Sequence, residues 1–351
     1  MRVARSRVLL TPGEGRGRPF VRLALEDEAG RVGIGEASPL AGFSADDAAS
    51  CAEALGGIEA RLGPVDERIE RAIAPVLPAL SALPSARFAL ETALLDLAGQ
   101  SAGLSVAELL AGTRAHAEVA VNGLLDASAD DLVKAGMDLV ARGRAALKIK
   151  LRARDEEGFQ REKRRLEELR HALPEPFELR LDPNAAWTLE EARRRLEALA
   201  PLAIRFVEQP VAPEELVHLG PTPVPWAADE SLRLPGLADK LAALPGCAAF
   251  ILKPAVLGGL LPALAIAQIA AEKSVDLVVT HLFDGPVGMA AACELSRALP
   301  RSPLASGLDA HPLLATYPPL AIPQATRAGR VKAAALPGLG FTEEERSRWM
   351  A

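Results

Sequence analysis

The chain has two parts, which differ in how apolar and polar positions alternate along them. In the first part, short apolar segments that predict strands precede longer segments with helical periodicity. The strands are predicted at 2–10, 20–26 and 31–36, and the helices at 45–62, 65–74 and 86–110. Strands followed by helices are typical of an α+β domain, which we expect to cover residues 1–112.

From about residue 117 onward, short apolar runs alternate with amphipathic segments. The runs predict eight strands, at 117–125, 145–151, 177–182, 204–209, 225–230, 248–254, 276–281 and 303–307. Eight strands with helical crossovers predict an α/β barrel with parallel strands, over residues 113–312. An open doubly wound sheet is the alternative, but its first strand should lead into a glycine-rich phosphate loop, and no such motif follows a strand here.

Composition and charge exclude several classes of protein. The 351 residues include 46 acidic and 40 basic side chains, a net charge of −6, without the basic stripe that nucleic-acid binding requires. No apolar run reaches the roughly 20 residues that cross a bilayer, so we expect no membrane partner. The cysteines, Cys51, Cys247 and Cys293, are widely spaced and odd in number, which predicts reduced thiols and a cytoplasmic location.

Charged side chains near the carboxyl ends of the predicted barrel strands are the most informative feature. Buried barrel strands should be almost wholly apolar, yet five of them carry charge at this end. These residues are Lys148 and Lys150, Arg180 and Asp182 followed by Asn184, Glu208, Asp229 and Glu230, and Lys253. Since the carboxyl ends of barrel strands form the mouth where active sites lie, we expect these side chains to converge.

Three carboxylates on successive strands predict a metal site. Asp182, Glu208 and Asp229 would repel one another in a buried site unless a cation joined them. Hard oxygen ligands favour Mg²⁺, and Lys150 and Lys253 would place amines on opposite sides of it. Each residue alone could be a helix cap or a rim ion pair, but five strands in order favour a single site.

These residues carry a resemblance to the muconate-lactonizing branch of the enolase superfamily. That branch has K-x-K on the second barrel strand, then D-x-N, E-Q-P and D-E-S, and a lysine on the sixth strand. The matching segments here are KIK at 148–150, DPN at 182–184, EQP at 208–210, DES at 229–231 and LKP at 252–254. The resemblance implies a modified TIM barrel, (β/α)7β, with an N-terminal α+β capping domain and a C-terminal segment, residues 313–351, that returns to the cap.

Within that branch, three more segments resemble the o-succinylbenzoate synthases. They are GEASPLAGFS at 35–44, RLD at 180–182 and SGLD at 306–309. The chain departs from that family at the seventh strand end, where THLFDGPVG at 280–288 replaces a serine-rich segment. The loops at 11–19 and 38–44 are expected to lie over the barrel mouth.

The resemblance implies a Mg²⁺-dependent lyase that acts on a small-molecule carboxylate, with Mn²⁺ as a substitute metal. The implied reaction is the syn dehydration of 2-succinyl-6-hydroxy-2,4-cyclohexadiene-1-carboxylate to 2-succinylbenzoate in menaquinone biosynthesis. By the same resemblance, Lys150 is the base and Lys253 an ammonium over the ring. The metal ligands would be Asp182, Glu208 and Asp229. Supporting or substrate-binding roles fall to Lys148, Arg180, Asn184, Glu230, Ser306 and Gly307.

Other functions remain open at this stage. An N-acylamino acid racemase, a dipeptide epimerase or a cycloisomerase of the same superfamily would use the same two lysines. Dipeptide epimerases place D-x-D at the last strand end, whereas this chain has only Asp309 there, which argues against that version. A non-catalytic barrel that serves as a binding protein is the alternative from a different class. The sequence predicts no particular oligomeric state.

Overall fold

The computed structural model describes residues 1–13, 17–65, 69–323 and 328–351. Parts of the predicted loop at 11–19, of the predicted helix at 65–74 and of the C-terminal segment lie outside these ranges. The described residues form a three-stranded sheet, a seven-stranded sheet and a two-stranded ribbon. The architecture is a modified TIM barrel with an N-terminal capping domain, as predicted.

The cap is built on an antiparallel sheet with the order β1-β2-β3. Its strands are β1 (Val3–Thr11), β2 (Phe20–Asp27) and β3 (Val32–Ala37). Its helices are α1 (Ala48–Leu55), α2 (Ile69–Ile73), α3 (Leu77–Leu80), α4 (Pro84–Ala102) and α5 (Val106–Ala111). Helix α4 is buried along most of its length and packs against the sheet, mainly against β3.

Two predicted cap helices are each broken in two. The prediction at 45–62 becomes α1 and a 3₁₀ turn at Ile58–Arg61, because Gly57 has a left-handed φ of 64°. The prediction at 86–110 becomes α4 and α5, since Gly103 closes α4 with a φ of 70°. A capping box at Ser105 then starts α5. Both breaks follow from glycines that adopt the left-handed conformation at a helix end.

Close packing of β3 on α4 depends on glycine at position 35. A Cβ atom added to Gly35 would overlap the carbonyl group of Ala89 in α4, which is backbone and cannot rotate away. We expect Gly35→Ala to destabilise the protein by about 3 kcal/mol, the upper end of the range for overpacked cores. The measurement is the midpoint of thermal unfolding. Gly56→Ala is the control, because its added Cβ would meet no atom closer than 3.4 Å; an equal loss in both variants would contradict the packing argument.

The barrel sheet is parallel and has the order β11-β10-β9-β8-β7-β6-β5. Its strands are β5 (Asn122–Asp126), β6 (Ala146–Lys150), β7 (Glu178–Asp182), β8 (Phe206–Glu208), β9 (Trp226–Ala228), β10 (Cys247–Leu252) and β11 (Asp276–Val279). Its helices are α6 (Leu132–Ala141), α7 (Glu156–Ala172), α8 (Leu189–Leu199), α9 (Leu237–Ala242), α10 (Pro254–Leu257), α11 (Leu260–Glu272) and α12 (Pro286–Ala298). None of the helices in the described ranges combines the length and hydrophobicity that crossing a membrane requires.

The ends of the barrel differ from the prediction in two places. The first predicted strand divides into β4 (Glu118–Ala120) and β5, because β4 turns aside to pair with β12 (Arg330–Lys332). The eighth predicted strand, at 303–307, is not a regular strand. Its bridges from Ser306 to Val121 and from Gly307 to Thr280 nevertheless close the ring between β5 and β11. A segment this short closes the barrel with few ladder hydrogen bonds.

The C-terminal segment packs against the cap through helix α13 (Glu343–Trp349). Arg346 of that helix forms an ion pair with the buried Asp96 of α4 at 2.8 Å. The same carboxylate accepts the backbone N–H of Leu339 at 2.9 Å, and Arg22 of β2 donates to the carbonyl oxygen of Trp349 at 2.8 Å. The domain boundaries at 112 and 312 stay a prediction.

Candidate active site

Three carboxylates lie side by side at the carboxyl ends of neighbouring barrel strands. Asp182 ends β7, Glu208 ends β8 and Asp229 directly follows β9. These strands are adjacent in the sheet, and all three side chains are buried. The structure therefore brings together the three residues that the sequence predicts as metal ligands.

Two lysines from flanking strands reach into this cluster and form ion pairs with it. The Nζ atom of Lys148 lies 2.8 Å from Oδ2 of Asp182 and 2.5 Å from Oε1 of Glu208. Lys253 pairs in the same way with Oδ2 of Asp229. Among the described residues, no three acidic, histidine or cysteine side chains are arranged to hold a metal ion as they stand.

The donor set nevertheless fits a divalent cation. The pKa of Glu208 is raised to about 8, because burial and the neighbouring Asp182 and Asp229 carboxylates together outweigh the lowering effect of the Lys148 ammonium. Two ammonium groups thus leave the cluster short of positive charge. Three buried carboxylates with hard oxygen atoms match the ligands that Mg²⁺ prefers, so Asp182, Glu208 and Asp229 would hold the ion.

Lys150 differs from the other two lysines of the site. It lines the same pocket, but in the described part of the chain its amine forms no hydrogen bond and no ion pair. Burial lowers the pKa of Lys150; Asp182 opposes this effect, and the ammonium groups of Lys148 and Lys253 lower the pKa further. A partly buried amine without a carboxylate partner is suited to be neutral and to accept a proton.

Lys253 is held as an ammonium ion. Burial lowers the pKa of Lys253, but Asp229 and Glu208 outweigh that effect, so the pKa lies above its ordinary value. Its Nζ atom also lies 5.2 Å from the centre of the Phe43 ring, within range of a cation–π contact. The surroundings therefore shift the pKa values of Lys150 and Lys253 in opposite directions, toward a neutral amine and toward an ammonium ion.

The lysines open onto a cavity of about 330 Å³ at the barrel mouth. Its apolar lining comes from Leu40, Phe43, Leu124, Ile251, Val278, Leu282 and Phe283. Two of these, Leu40 and Phe43, belong to the cap loop at 38–44, which therefore covers the mouth as predicted. The cavity is lined by both charged and apolar side chains, an arrangement typical of small-molecule sites.

The predicted supporting residues divide into those that touch the carboxylates and those that do not. Asn184 touches them, since its backbone N–H donates to Oδ1 of Asp182 at 2.9 Å. Arg180 lines the cavity, but its hydrogen bonds go to Glu178 and to the carbonyl oxygen of Ala305. Burial, together with the adjacent Asp229 carboxylate, raises the pKa of Glu230 to about 7.

The two predicted residues of the last barrel segment differ in position. Gly307 lines the cavity, and a Cβ atom there would lie 2.6 Å from Oγ1 of Thr280, so a side chain has no room. Ser306 is fully buried, and its hydroxyl accepts the N–H of Val279 and donates to the carbonyl oxygen of Leu304. The structure therefore places Ser306 in the closure of the barrel and not in the cavity lining.

Some residues that the sequence did not single out as substrate contacts also line the cavity, and two of them are polar side chains of the barrel interior and the last loop. Asn122 at the start of β5 and His311 after the last barrel segment both line the cavity. Asn122 is a buried polar residue in a barrel strand, and a polar residue in an otherwise apolar strand could have predicted a side chain that faces the site. His311 gave no such signal, because it lies in a loop after the last barrel segment and the fold of that loop brings its ring to the cavity. The ring centroid of His311 lies 4.9 Å from that of His281.

The loop after the seventh barrel strand is the place where the sequence departs from the serine-rich pattern. Side chains of this region form hydrogen bonds with its backbone groups. The N–H of Phe283 donates to Nδ1 of His281, and the N–H of Leu282 donates to Asp284. His281 itself binds the carbonyl oxygen of Asp309, and His311 binds that of Asp284. The loop therefore presents Leu282 and Phe283 to the cavity instead of serine hydroxyls.

A larger cleft of about 710 Å³ lies in the cap, between the sheet and α13. None of the predicted site residues lines it. Three of its four arginines, Arg5, Arg31 and Arg346, form ion pairs with Glu26, Asp27 and Asp96. The barrel mouth, where carboxylates and amines converge, is therefore the candidate active site despite its smaller volume.

A closed parallel barrel with carboxylates and amines at its mouth defines the general class of α/β-barrel proteins. Family models cover both halves of the chain. "Mandelate racemase / muconate lactonizing enzyme, N-terminal domain" matches residues 9–111, and "Enolase C-terminal domain-like" matches residues 131–347. The chain belongs to the enolase superfamily, a superfamily of enzymes, and to its muconate-lactonizing branch.

Individual relatives have different activities. An L-Lys-D/L-Arg epimerase from Methylococcus capsulatus is 32% identical over 282 residues, 77% of each chain. An o-succinylbenzoate synthase from Geobacillus kaustophilus is 32% identical over 209 residues, 58% of this chain and 54% of that protein. Among solved structures, a dipeptide epimerase from Methylococcus capsulatus complexed with Mg ion has a TM-score of 0.84 at 29% identity, covering 97% of this chain and 99% of that one.

Proposed function

We propose that the protein is an o-succinylbenzoate synthase, which dehydrates 2-succinyl-6-hydroxy-2,4-cyclohexadiene-1-carboxylate. The observation that carries the proposal is the pairing of Asp309 with Arg144, because it removes the acidic group that an amino-bearing substrate would need. Nε and Nη2 of Arg144 each donate to a different oxygen of Asp309, at 2.8 Å. The cavity then favours a substrate with anionic groups and no ammonium group.

The charges around the cavity support a carboxylate substrate. Its lining includes the cationic residues Lys148, Lys253, Arg142 and Arg180, together with the amine of Lys150. Its acidic lining residues are Glu208, which is paired with Lys148, and Asp309, which is paired with Arg144. A substrate that carries a ring carboxylate and a succinyl carboxylate would bring negative charge into this positive field.

Proton transfer falls to Lys150. The neutral amine removes the ring proton next to the carboxylate, and the resulting ammonium returns that proton to the hydroxyl group on the same face. The carbon–oxygen bond breaks, water leaves and the ring becomes aromatic. One lysine suffices for both transfers because the proton and the hydroxyl leave from the same side of the ring.

Negative charge that develops on the substrate is stabilised from two directions. Bound at Asp182, Glu208 and Asp229, Mg²⁺ would supply electrostatic stabilisation at the substrate carboxylate. The Lys253 ammonium, fixed by Asp229 and Phe43, lies at the cavity and stabilises the delocalised anion of the ring. Placing fixed charge where negative charge develops is the strongest means of lowering such a barrier.

Epimerisation of a dipeptide or an N-acylamino acid is the second candidate function. Two lysines open on one cavity, and removing a proton on one face and returning it on the other would use both. The epimerase relative also matches more of the chain than the synthase relative does. The Arg144–Asp309 pair argues against a free dipeptide, because Asp309 is not available to bind the ammonium group of that substrate. An N-acylated substrate has no ammonium group, so the pair does not argue against it.

The test is an ultraviolet assay of purified protein with Mg²⁺ and the cyclohexadiene substrate. We expect aromatisation with kcat/KM of about 10⁵ M⁻¹ s⁻¹, within the usual range for enzymes. In parallel, incubation in D₂O with dipeptides and N-acylamino acids would detect exchange of the α-proton. Exchange without aromatisation would refute the synthase assignment and support the epimerase candidate. If neither reaction occurs, the non-catalytic alternative gains support.

A further inference from the structure

A buried carboxylate of the cap binds the first turn of a barrel helix. Glu36 lies on β3, and its side chain accepts the backbone N–H groups of Gly285 at 2.5 Å, Val287 at 3.2 Å and Gly288 at 3.1 Å. These residues begin α12, whose own sequence offers no side-chain cap. The hydroxyl of Ser38 donates to the same carboxylate at 2.5 Å. A residue of one domain thus caps a helix of the other.

A second cap residue holds the loop just before that helix. Arg18 donates from Nη2 to the carbonyl oxygens of Leu282 at 2.9 Å and Phe283 at 3.2 Å. The same guanidinium lies 3.5 Å from Oδ1 of Asp284. Arg18 therefore contacts residues 282–284 and Glu36 contacts 285, 287 and 288, both from the cap side.

The loop that these two residues hold forms one wall of the active-site cavity. His281, Leu282 and Phe283 line it. Phe283 has a left-handed φ of 55°, which is costly for a residue with a side chain and persists only where neighbours fix the backbone. At Gly285, a Cβ atom would come within 2.7 Å of Oε2 of Glu36, so cap and loop touch with no space between them.

We propose that Glu36 and Arg18 are positioning residues that set substrate affinity by holding the wall formed by residues 281–283. The substrate concerned follows from the proposed function, but the positioning itself depends only on these contacts. The wall lies on the seventh strand end, away from the carboxylates of Asp182 and Glu208. Loosening it should therefore weaken binding of the part of the substrate remote from the reacting carbon and leave the proton transfer largely intact.

A matched control exists at the same interface between cap and barrel. Glu91 of α4 is buried and accepts the N–H of Leu261 at 2.7 Å, at the start of α11. A Cβ atom at Gly259 would meet the Glu91 carboxyl group at 2.5 Å, so the contact is equally close. Residues 258–261 do not line the cavity, however. Glu91→Gln thus removes the same kind of contact without loosening the wall.

The first measurement is amide hydrogen exchange, which requires no substrate. In Glu36→Gln we expect exchange over residues 281–288 to accelerate by about tenfold or more, which corresponds to losing one good charged hydrogen bond. Exchange over 259–264 should stay unchanged. Glu91→Gln should show the reverse pattern. Unchanged exchange at 281–288 in Glu36→Gln would overturn the proposal, whatever the protein's activity proves to be.

The second measurement is steady-state kinetics on whichever substrate the wild-type protein converts. We expect Glu36→Gln to raise KM by about tenfold with kcat within about threefold, because loss of uniform binding affects KM alone. Glu91→Gln should change KM by less than about twofold. Arg18→Met is a second variant at a position that is less buried, so it should disturb folding less. We expect the same rise in KM from it. Equal KM changes in the Glu36 and Glu91 variants, or a fall in kcat alone, would overturn the positioning role.

Discussion

Replacing Lys150 by methionine is expected to lower kcat by about 10⁴-fold, the upper range for losing a general base. Methionine keeps the length and apolar stem of lysine but cannot accept a proton. The loss should be large because the other lysines of the site, Lys148 and Lys253, are both paired with carboxylates and cannot take over. The ultraviolet assay under saturating substrate measures the effect.

Two controls separate this effect from damage to the fold. Lys240→Met, at an exposed lysine of α9, should leave kcat within about twofold of the wild type, as is usual for surface substitutions. Thermal unfolding of Lys150→Met should still shift upward with Mg²⁺, since Lys150 is not one of the carboxylates. Activity within tenfold of the wild type in Lys150→Met would show that another group removes the proton.

Replacing Glu208 by glutamine should remove most of the stabilisation by Mg²⁺. Glu208 lies between Asp182 and Asp229 in strand order, so its loss disrupts the carboxylate set at the centre. We expect metal affinity to fall by at least about 100-fold, since removing even the partners of metal ligands costs up to that much. At a concentration 100 times the wild-type dissociation constant, Mg²⁺ would stabilise the wild type by about 2.7 kcal/mol and the variant by only about 0.4 kcal/mol.

The measurement is the thermal midpoint of each protein with and without Mg²⁺. The quantity compared is the change in midpoint that Mg²⁺ causes in each protein, so the direct effect of the substitution on stability cancels. This matters because Glu208 is also paired with Lys148. Glu157→Gln, at an exposed position of α7, should respond to Mg²⁺ as the wild type does. A full Mg²⁺ response in Glu208→Gln would mean that the metal binds elsewhere, and the proposed ligand set would be wrong.

The barrel and its charged mouth could be predicted from the sequence for a physical reason. Parallel strands buried on both faces must be almost wholly apolar, so Lys148, Asp182 and Glu208 stand out against their neighbours. Their spacing of one strand and one helix each then places them side by side. The structure confirms strands β6, β7 and β8, which carry these residues, and brings the side chains together. Their chemical roles stay predictions.

Features that depend on contacts distant in sequence could not be predicted. The eighth segment reads as a strand, but it closes the ring by single bridges, because β4 leaves the barrel to pair with residues near the end of the chain. The ion pair between Arg144 and Asp309 joins positions 165 residues apart. Likewise, Glu36 reads as part of a loop motif, and only the fold reveals that it caps α12.

The return of the C-terminal segment to the cap has a consequence for how the chain is made. Ribosomes release the cap strands before the barrel, and they release Arg346 and Trp349 only after every barrel strand. Until then Asp96 lacks its arginine and Phe20 lacks the indole ring that lies 6.1 Å away. The nascent cap therefore stays partly uncovered until the whole barrel has emerged. For the same reason, residues 1–112 expressed alone should not form a stable fragment.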